Sequence, residues 1–163
     1  MEEHGVTLRA FEAGDVAWLV AAHARLYAIT DGFDDSFAEL VANILADFLQ
    51  DYDSQRERGW VAERDGVRLG SIFCVRGEDA DTAKLRLFLV LPEARGVGLG
   101  KQLLRTCMSF AKSRGYTRMV LWTHESHVTA CALYKAFGWS LVASKPVRSF
   151  GVDLVEQSWE ITL

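Results

Sequence analysis

Apolar positions recur along this chain in two rhythms, every second residue in some stretches and every third or fourth in others. Residues 6–11 (VTLRAF) alternate as a first strand, closed by Gly14-Asp15. Asp15 is placed to cap a helix through Trp18, Leu19, Ala22 and Leu26, and residues 30–35 break it. Asp35 or Ser36 caps a second helix, whose buried stripe reads Phe37, Leu40, Val41, Ile44, Leu45, Phe48 and Leu49. GWVAE and RLGSIFCV, residues 59–63 and 68–75, flank Arg64-Asp65-Gly66-Val67, where Asp-Gly predicts a two-residue hairpin turn.

The polar GEDAD, residues 77–81, is a loop, and the apolar run 87–91 is the third strand of a meander. After Pro92 come three alternate glycines, Gly96, Gly98 and Gly100. They open an amphipathic helix that runs to about Ser113 and buries Leu103, Leu104, Cys107, Met108 and Phe110 or Ala111, with Gly115 as its C-terminal stop. Residues 118–123 (RMVLWT) form a strand, parallel to its predecessor if the helix is a right-handed crossover. A short helix over 129–137 ends at Gly138, and strands over 140–144 and 156–162 close the chain around the loop KPVRSFGVDL. The predicted order is β-α-α-β-β-β-α-β-α-β-β: an α/β fold with one mixed, mostly antiparallel sheet flanked by helices, in a single domain over residues 1–163.

Composition narrows the class. The 163 residues, half of them hydrophobic and a quarter charged, can build a full core. A net charge of -4 speaks against a nucleic-acid partner. No apolar run suits a membrane, and the acidic start MEEHG is not a signal peptide. Cys74, Cys107 and Cys131 lack metal-ligand spacing and read as free thiols packed as small hydrophobes in a cytoplasmic protein, with no metal expected.

The stretch LRLFLVLPEARGVGLGKQLL, residues 85–104, carries the chemistry. A strand entering a glycine-rich turn at a helix N-terminus offers backbone N–H groups and a positive dipole end to phosphate. A Walker A loop fails here, because Gln102 replaces the magnesium-binding hydroxyl and Arg95 stands at the first-glycine position. The G-x-G-x-G spacing also fails the dinucleotide fingerprint.

What remains is Arg95-x-x-Gly98-x-Gly100 after a strand ending Val90-x-Pro92. It resembles the acetyl-CoA loop of the GNAT superfamily of N-acetyltransferases. Ala132-Leu133-Tyr134-x-x-x-Gly138-Trp139, about 34 residues beyond the loop, is similar to a second segment of that family. LRLFLVLPEARGVGLG, VLWTH and RSFGVDLVEQSWEITL further resemble the acetyltransferase half of bacterial proteins that join a MarR-type domain to a GNAT domain, without a winged helix preceding it here.

The resemblance implies acetyl-CoA as cosubstrate. Its pyrophosphate would be held by Arg95, Gly96, Val97, Gly98, Leu99, Gly100 and Lys101, and its pantetheine arm by the backbone of Phe88, Leu89 and Val90. Tyr134 would meet the sulfur as general acid. Transfer to an amine also needs an oxyanion donor, expected near Val90, and a proton acceptor. Neither LRLFLV nor MVLWT brings an acid, so His124, Glu125 and His127 are the candidate bases, with Glu63 and Tyr27 behind them. Asp31, Asp34 and Asp35 could draw a cationic acceptor; Phe33, Trp60 and Trp122 could line its pocket, beside the loop over 145–154. The expected activity is transfer of acetyl to a primary amine of a small-molecule or amino-acid-like acceptor. A non-catalytic acyl-CoA-binding module and a protein or peptide acetyltransferase stay open, as does a homodimer.

Overall fold

The computed structural model describes residues 2–3 and 5–163. The reading of MEEHG rests partly on Met1 and His4, which lie outside the described residues. Among the described residues eight strands form one sheet: β1 (Glu2–Glu3), β2 (Val6–Ala10), β3 (Arg58–Arg64), β4 (Val67–Arg76), β5 (Thr82–Val90), β6 (Arg118–His124), β7 (Ser140–Ser149) and β8 (Val152–Thr162). Their spatial order is β1-β2-β3-β4-β5-β6-β8-β7, with β5 and β6 the parallel pair and every other neighbour antiparallel. Helices α1 (Val16–Asp31), α2 (Asp35–Asp51), α3 (Leu99–Ser113) and α4 (Val128–Ala136) complete the expected order, with two short 3-10 turns and the two-residue β1 added.

Strand β4 shows why the sheet holds together. It is buried from Leu69 to Val75, so its side chains feed two cores. Ile72 and Cys74 join Leu103, Leu104, Cys107, Met119 and Leu121 beneath α3 and α4. Phe73 and Val75 join Leu19, Val41, Leu45 and Phe48 beneath α1 and α2. Alternation along one buried strand thus glues a helical layer to each face. Among the described residues no helix is long and apolar enough to cross a membrane.

Several expectations need correction. Helix α1 continues through Thr30 to Asp31 before Gly32, at φ 75, ends it; α2 is capped by Asp34, whose carboxylate accepts from the Ser36 N–H at 3.0 Å. Asp15 makes no side-chain cap for α1. It is buried and accepts from the Arg9 guanidinium at 2.8 and 2.9 Å and from Arg68 Nε at 2.9 Å. The stripe on α2 is narrower than its sequence suggests, since Leu40 and Leu49 face solvent, and Met108 is only half-buried. Strand β5 begins at Thr82, well before the apolar run.

The largest departure is the expected loop KPVRSFGVDL, which is a continuous β7–β8 hairpin turning at Phe150 (φ 55) and Gly151 (φ 79). Two positive φ values make the same kind of turn that Asp65 (φ 53) and Gly66 (φ 77) make between β3 and β4. Pro146 is tolerated because β7 is an edge strand.

Candidate active site

The parallel strands β5 and β6 part company soon after they meet. They pair only over Thr82–Lys84 and Arg118–Val120, after which β5 follows β4 to Val90 and β6 follows β8 to His124. A wedge therefore opens between residues 85–90 and 121–124. Its cause is a bulge: the β4–β5 register shifts between Ser71 and Phe73, and Leu87 takes φ 49. The Ser71 hydroxyl pins the bulge by donating to the Leu87 carbonyl at 2.7 Å. Leu91 N–H donates to Leu69 O on β4 at 2.9 Å. By strand alternation the Leu89 amide also faces β4, and that of Val90 faces the wedge.

At the top of the wedge the chain turns through Pro92–Ala94 into the glycine loop. The first helical bond of α3 runs from Gln102 N–H to Gly98 O at 3.0 Å. The amides from Gly96 to Lys101 have no backbone acceptor among the described residues, so a row of donors faces outward at a helix start. Gly96 (φ 87) and Gly98 (φ 78) hold this turn, and a Cβ on either would meet open space within 4 Å. The loop can thus receive a pyrophosphate. Gly100 is packed instead, its Cβ direction meeting Leu133 at 3.4 Å and Phe88 and Val90 at 3.8 Å. Leu89 is a buried anchor whose amide goes to β4 rather than to the pantetheine arm expected there, Leu99 is buried and offers only backbone, Phe88, Val90 and Val97 are half-buried, and Arg95 and Lys101 are exposed.

Tyr134 closes the inner end. Its buried ring lies 6.2 Å from Phe88, 5.7 Å from Trp139 and 6.1 Å from Trp159. Burial, then the neighbouring Tyr27, Cys131 and Cys107, hold its phenol well above the usual tyrosine range. It stays a neutral O–H, able to donate. Tyr27, stacked on His127 and edge-on to Phe37, has its phenol pushed up to about 12 by burial and by Asp31, with Arg95 of the loop opposing.

The base candidates separate by placement. His127 Nδ1 meets Thr123 Oγ1 at 3.1 Å and its Nε2 meets Asp31 Oδ2 at 3.0 Å, while its ring stacks on Tyr27 at 4.8 Å. His124 stands edge-on to Phe33 at 5.6 Å and to His127 at 5.3 Å. Its Nδ1 is enclosed without a partner among the described residues. Burial, then His127, lowers its pKa from the ordinary histidine value. Glu125 is exposed and Glu63 is held by Arg9 at 3.0 Å on a strand that β4 separates from the wedge.

The acceptor side also differs from expectation. Asp31, expected in the break after the first helix, has a buried side chain at the end of α1. Asp34 is spent on capping α2, and Asp35 is exposed. Phe33 packs with Tyr27, Phe37 and Phe150 at ring separations of 5.9, 5.0 and 4.8 Å. Phe150 arrives on the β7–β8 turn, latched where the Asp34 N–H donates to its carbonyl at 2.9 Å. Trp60 belongs to the α3 core, edge-on to Phe110 at 5.3 Å, and Trp122 is exposed beneath Lys84, so neither lines this side. Sequence reasoning missed Thr123, Phe150 and the carboxylate role of Asp31. The spacing of His23, Tyr27 and Asp31, one turn apart on one helical face, was the available signal.

Comparison with known proteins agrees with this architecture. The chain is 35% identical to N-acetyltransferase 8 of Mus musculus over 124 residues, covering 73% of this chain and 52% of that protein. It thus spans about half the length of the curated relatives it matches. An acetyltransferase from Streptococcus agalactiae superposes with a TM-score of 0.81 at 25% identity, covering 98% of this chain and 99% of that one. The protein yncA of Salmonella typhimurium, seen with its cofactor acetyl-CoA, superposes at 0.72 with 24% identity, covering 98% and 95%. The Acetyltransferase (GNAT) family profile matches residues 20–139, and the chain belongs to that family.

Proposed function

We propose that this protein is an acetyl-CoA-dependent N-acetyltransferase, which moves acetyl directly to a primary amine of a small-molecule or amino-acid-like acceptor. The observation that carries this reading is the meeting of three features at one cleft: the row of free amides over residues 96–101, the wedge between β5 and β6, and a neutral phenol at Tyr134. When bound, acetyl-CoA supplies the activated acetyl group. The loop amides and the α3 dipole hold its phosphates, with Arg95 and Lys101 adding charge. Backbone left open on Phe88 and Val90 would grip the pantetheine arm as a strand grips a neighbour, while Leu89, whose amide faces β4, anchors the strand. The Val90 amide is directed to stabilise an oxyanion, and Tyr134 to donate a proton to the departing thiolate.

The matched acetyltransferases and the acetyl-CoA-bound neighbour support this chemistry. The test is product analysis after incubation with acetyl-CoA and a panel of amino acids, polyamines, aminated antibiotics and peptides. An acetylated small amine is expected. Modification of peptides alone would sink the small-acceptor reading, and tight acetyl-CoA binding without any product would sink catalysis itself.

A further inference from the structure

The strands that border the wedge bring no carboxylate, and the fold supplies one from elsewhere. Asp31, at the last residue of α1, reaches across to His127 at the head of α4, and His127 reaches on to Thr123 near the end of β6. Asp31 and Thr123 are buried and the His127 ring is mostly enclosed, with Tyr27 stacked on its face. The order of donors follows from the inventory of groups. An aspartate carboxylate at neutral pH only accepts, so Nε2 carries the imidazole proton and donates it to Asp31. Nδ1 is then the bare nitrogen, and the Thr123 hydroxyl donates to it. A hydroxyl oxygen facing a histidine that a buried carboxylate orients is the arrangement that makes a weak base effective.

We infer that Thr123, His127 and Asp31 form the proton-accepting relay of the transfer reaction, with His127 the base and Asp31 the residue that positions it. The inference deepens the acetyltransferase reading and rests on it. As the amine nitrogen bonds to the acetyl carbon, one N–H bond breaks and its proton goes to Thr123 Oγ1. The Thr123 proton passes to His127 Nδ1 in the same movement. The resulting imidazolium keeps its Nε2–H on Asp31 and later returns the extra proton to water. The C–S bond breaks with its electron pair on sulfur, Tyr134 protonates that sulfur, and water reprotonates Tyr134. Amine and thioester thus become amide and thiol with every proton accounted for. His127 is faced directly by Tyr27 and Asp31 from α1 and by Thr123 and His124 from β6; beyond them, Glu156 of β8 acts on His124, Arg95 of the loop and Tyr134 of α4 lie near Tyr27, and Cys131 lies near Tyr134.

The test uses the full chain with acetyl-CoA and the best amine of a screened panel. Asp31→Asn and His127→Ala should each lower kcat about 10²-fold or more, with acetyl-CoA affinity kept. Thr123→Val should fall similarly, whereas Thr123→Ser should retain most activity. Added imidazole should partly restore His127→Ala, which loss of a merely structural tether would not allow. Variants within twofold of wild type, or a His127→Ala deficit that imidazole leaves untouched, would overturn the relay. A wild type that releases no thiol with any amine would instead overturn the acetyltransferase reading. The hydrogen-bond order is read without turnover by nitrogen-detected NMR of the His127 ring. An Nε2–H tautomer that is lost in Asp31→Asn is expected, and an Nδ1–H tautomer in the wild type would refute the relay.

Discussion

The ring of Tyr134, on α4, lies 6.2 Å from that of Phe88, on β5, so the candidate acid touches the strand whose backbone is left open by the wedge. The contact also explains why the phenol is buried: Trp139 and Trp159 close around its far side.

Replacing Tyr134 by Phe removes one oxygen and keeps the packing. The ring contacts with Phe88, Trp139 and Trp159 are retained, so stability should change little. Steady-state kinetics should show kcat lower by roughly 10²-fold with the KM for acetyl-CoA near wild type. Equal turnover would remove Tyr134 from the acid role.

Gly98→Ala tests the loop. A side chain at φ 78 costs about 1–2 kcal/mol in backbone strain. The loop should relax away from the geometry that aims its amides outward, and titration calorimetry should report acetyl-CoA binding weakened about tenfold, equivalent to ~1.4 kcal/mol. Unchanged affinity would argue that the phosphates lie elsewhere.

His23 predicts a pH dependence. Its Nδ1 meets the Leu19 carbonyl at 2.8 Å, and burial lowers its pKa from 6.5 to about 4. The unfolded chain takes up a proton below 6.5 while the folded chain stays neutral until about 4, so stability is full above 6.5 and falls as pH drops through that window. The loss should reach about 3 kcal/mol in urea titrations, and His23→Leu should flatten it. A wild-type curve already flat from pH 7 to 4 would contradict this.

Asp15 acts in a lower window. Arg9, then the Glu12 amide and Arg68, outweigh burial and hold its carboxyl well below 3.8, so its contribution is present above 3.8 and lost as pH falls below it. Asp15→Asn leaves two partly exposed guanidiniums without their buried partner and should cost about 2–3 kcal/mol at pH 7 by chemical denaturation. The variant should converge with wild type in strong acid. A constant difference down to pH 2 would rule out the ion-pair explanation.

Much of this architecture was legible in the residue pattern, for physical reasons. Asp65-Gly66 is a turn that local chemistry dictates, and α3 carries both a glycine start and a long apolar stripe. The β7–β8 hairpin escaped because Phe150 is an unusual residue at positive φ, and because β7 is exposed along an edge and so lacks a buried alternation. The end of α1 escaped because Thr30-Asp31 reads as a loop, although Gly32 marks the true stop. The wedge itself depends on where β5 leaves β6, a long-range register that no local pattern encodes. Asp31 could not be recognised as a partner of His127, since 96 positions separate them. The loop amides and Tyr134, by contrast, belong to continuous motifs.

The most direct measurement is the initial rate of thiol release from acetyl-CoA by the purified protein, recorded with and without each amine of the panel. An amine-dependent rate that saturates in both substrates and yields one acetylated amine per thiol is the predicted result. Saturable acetyl-CoA binding with a thiol-release rate indifferent to every amine and peptide offered would contradict it.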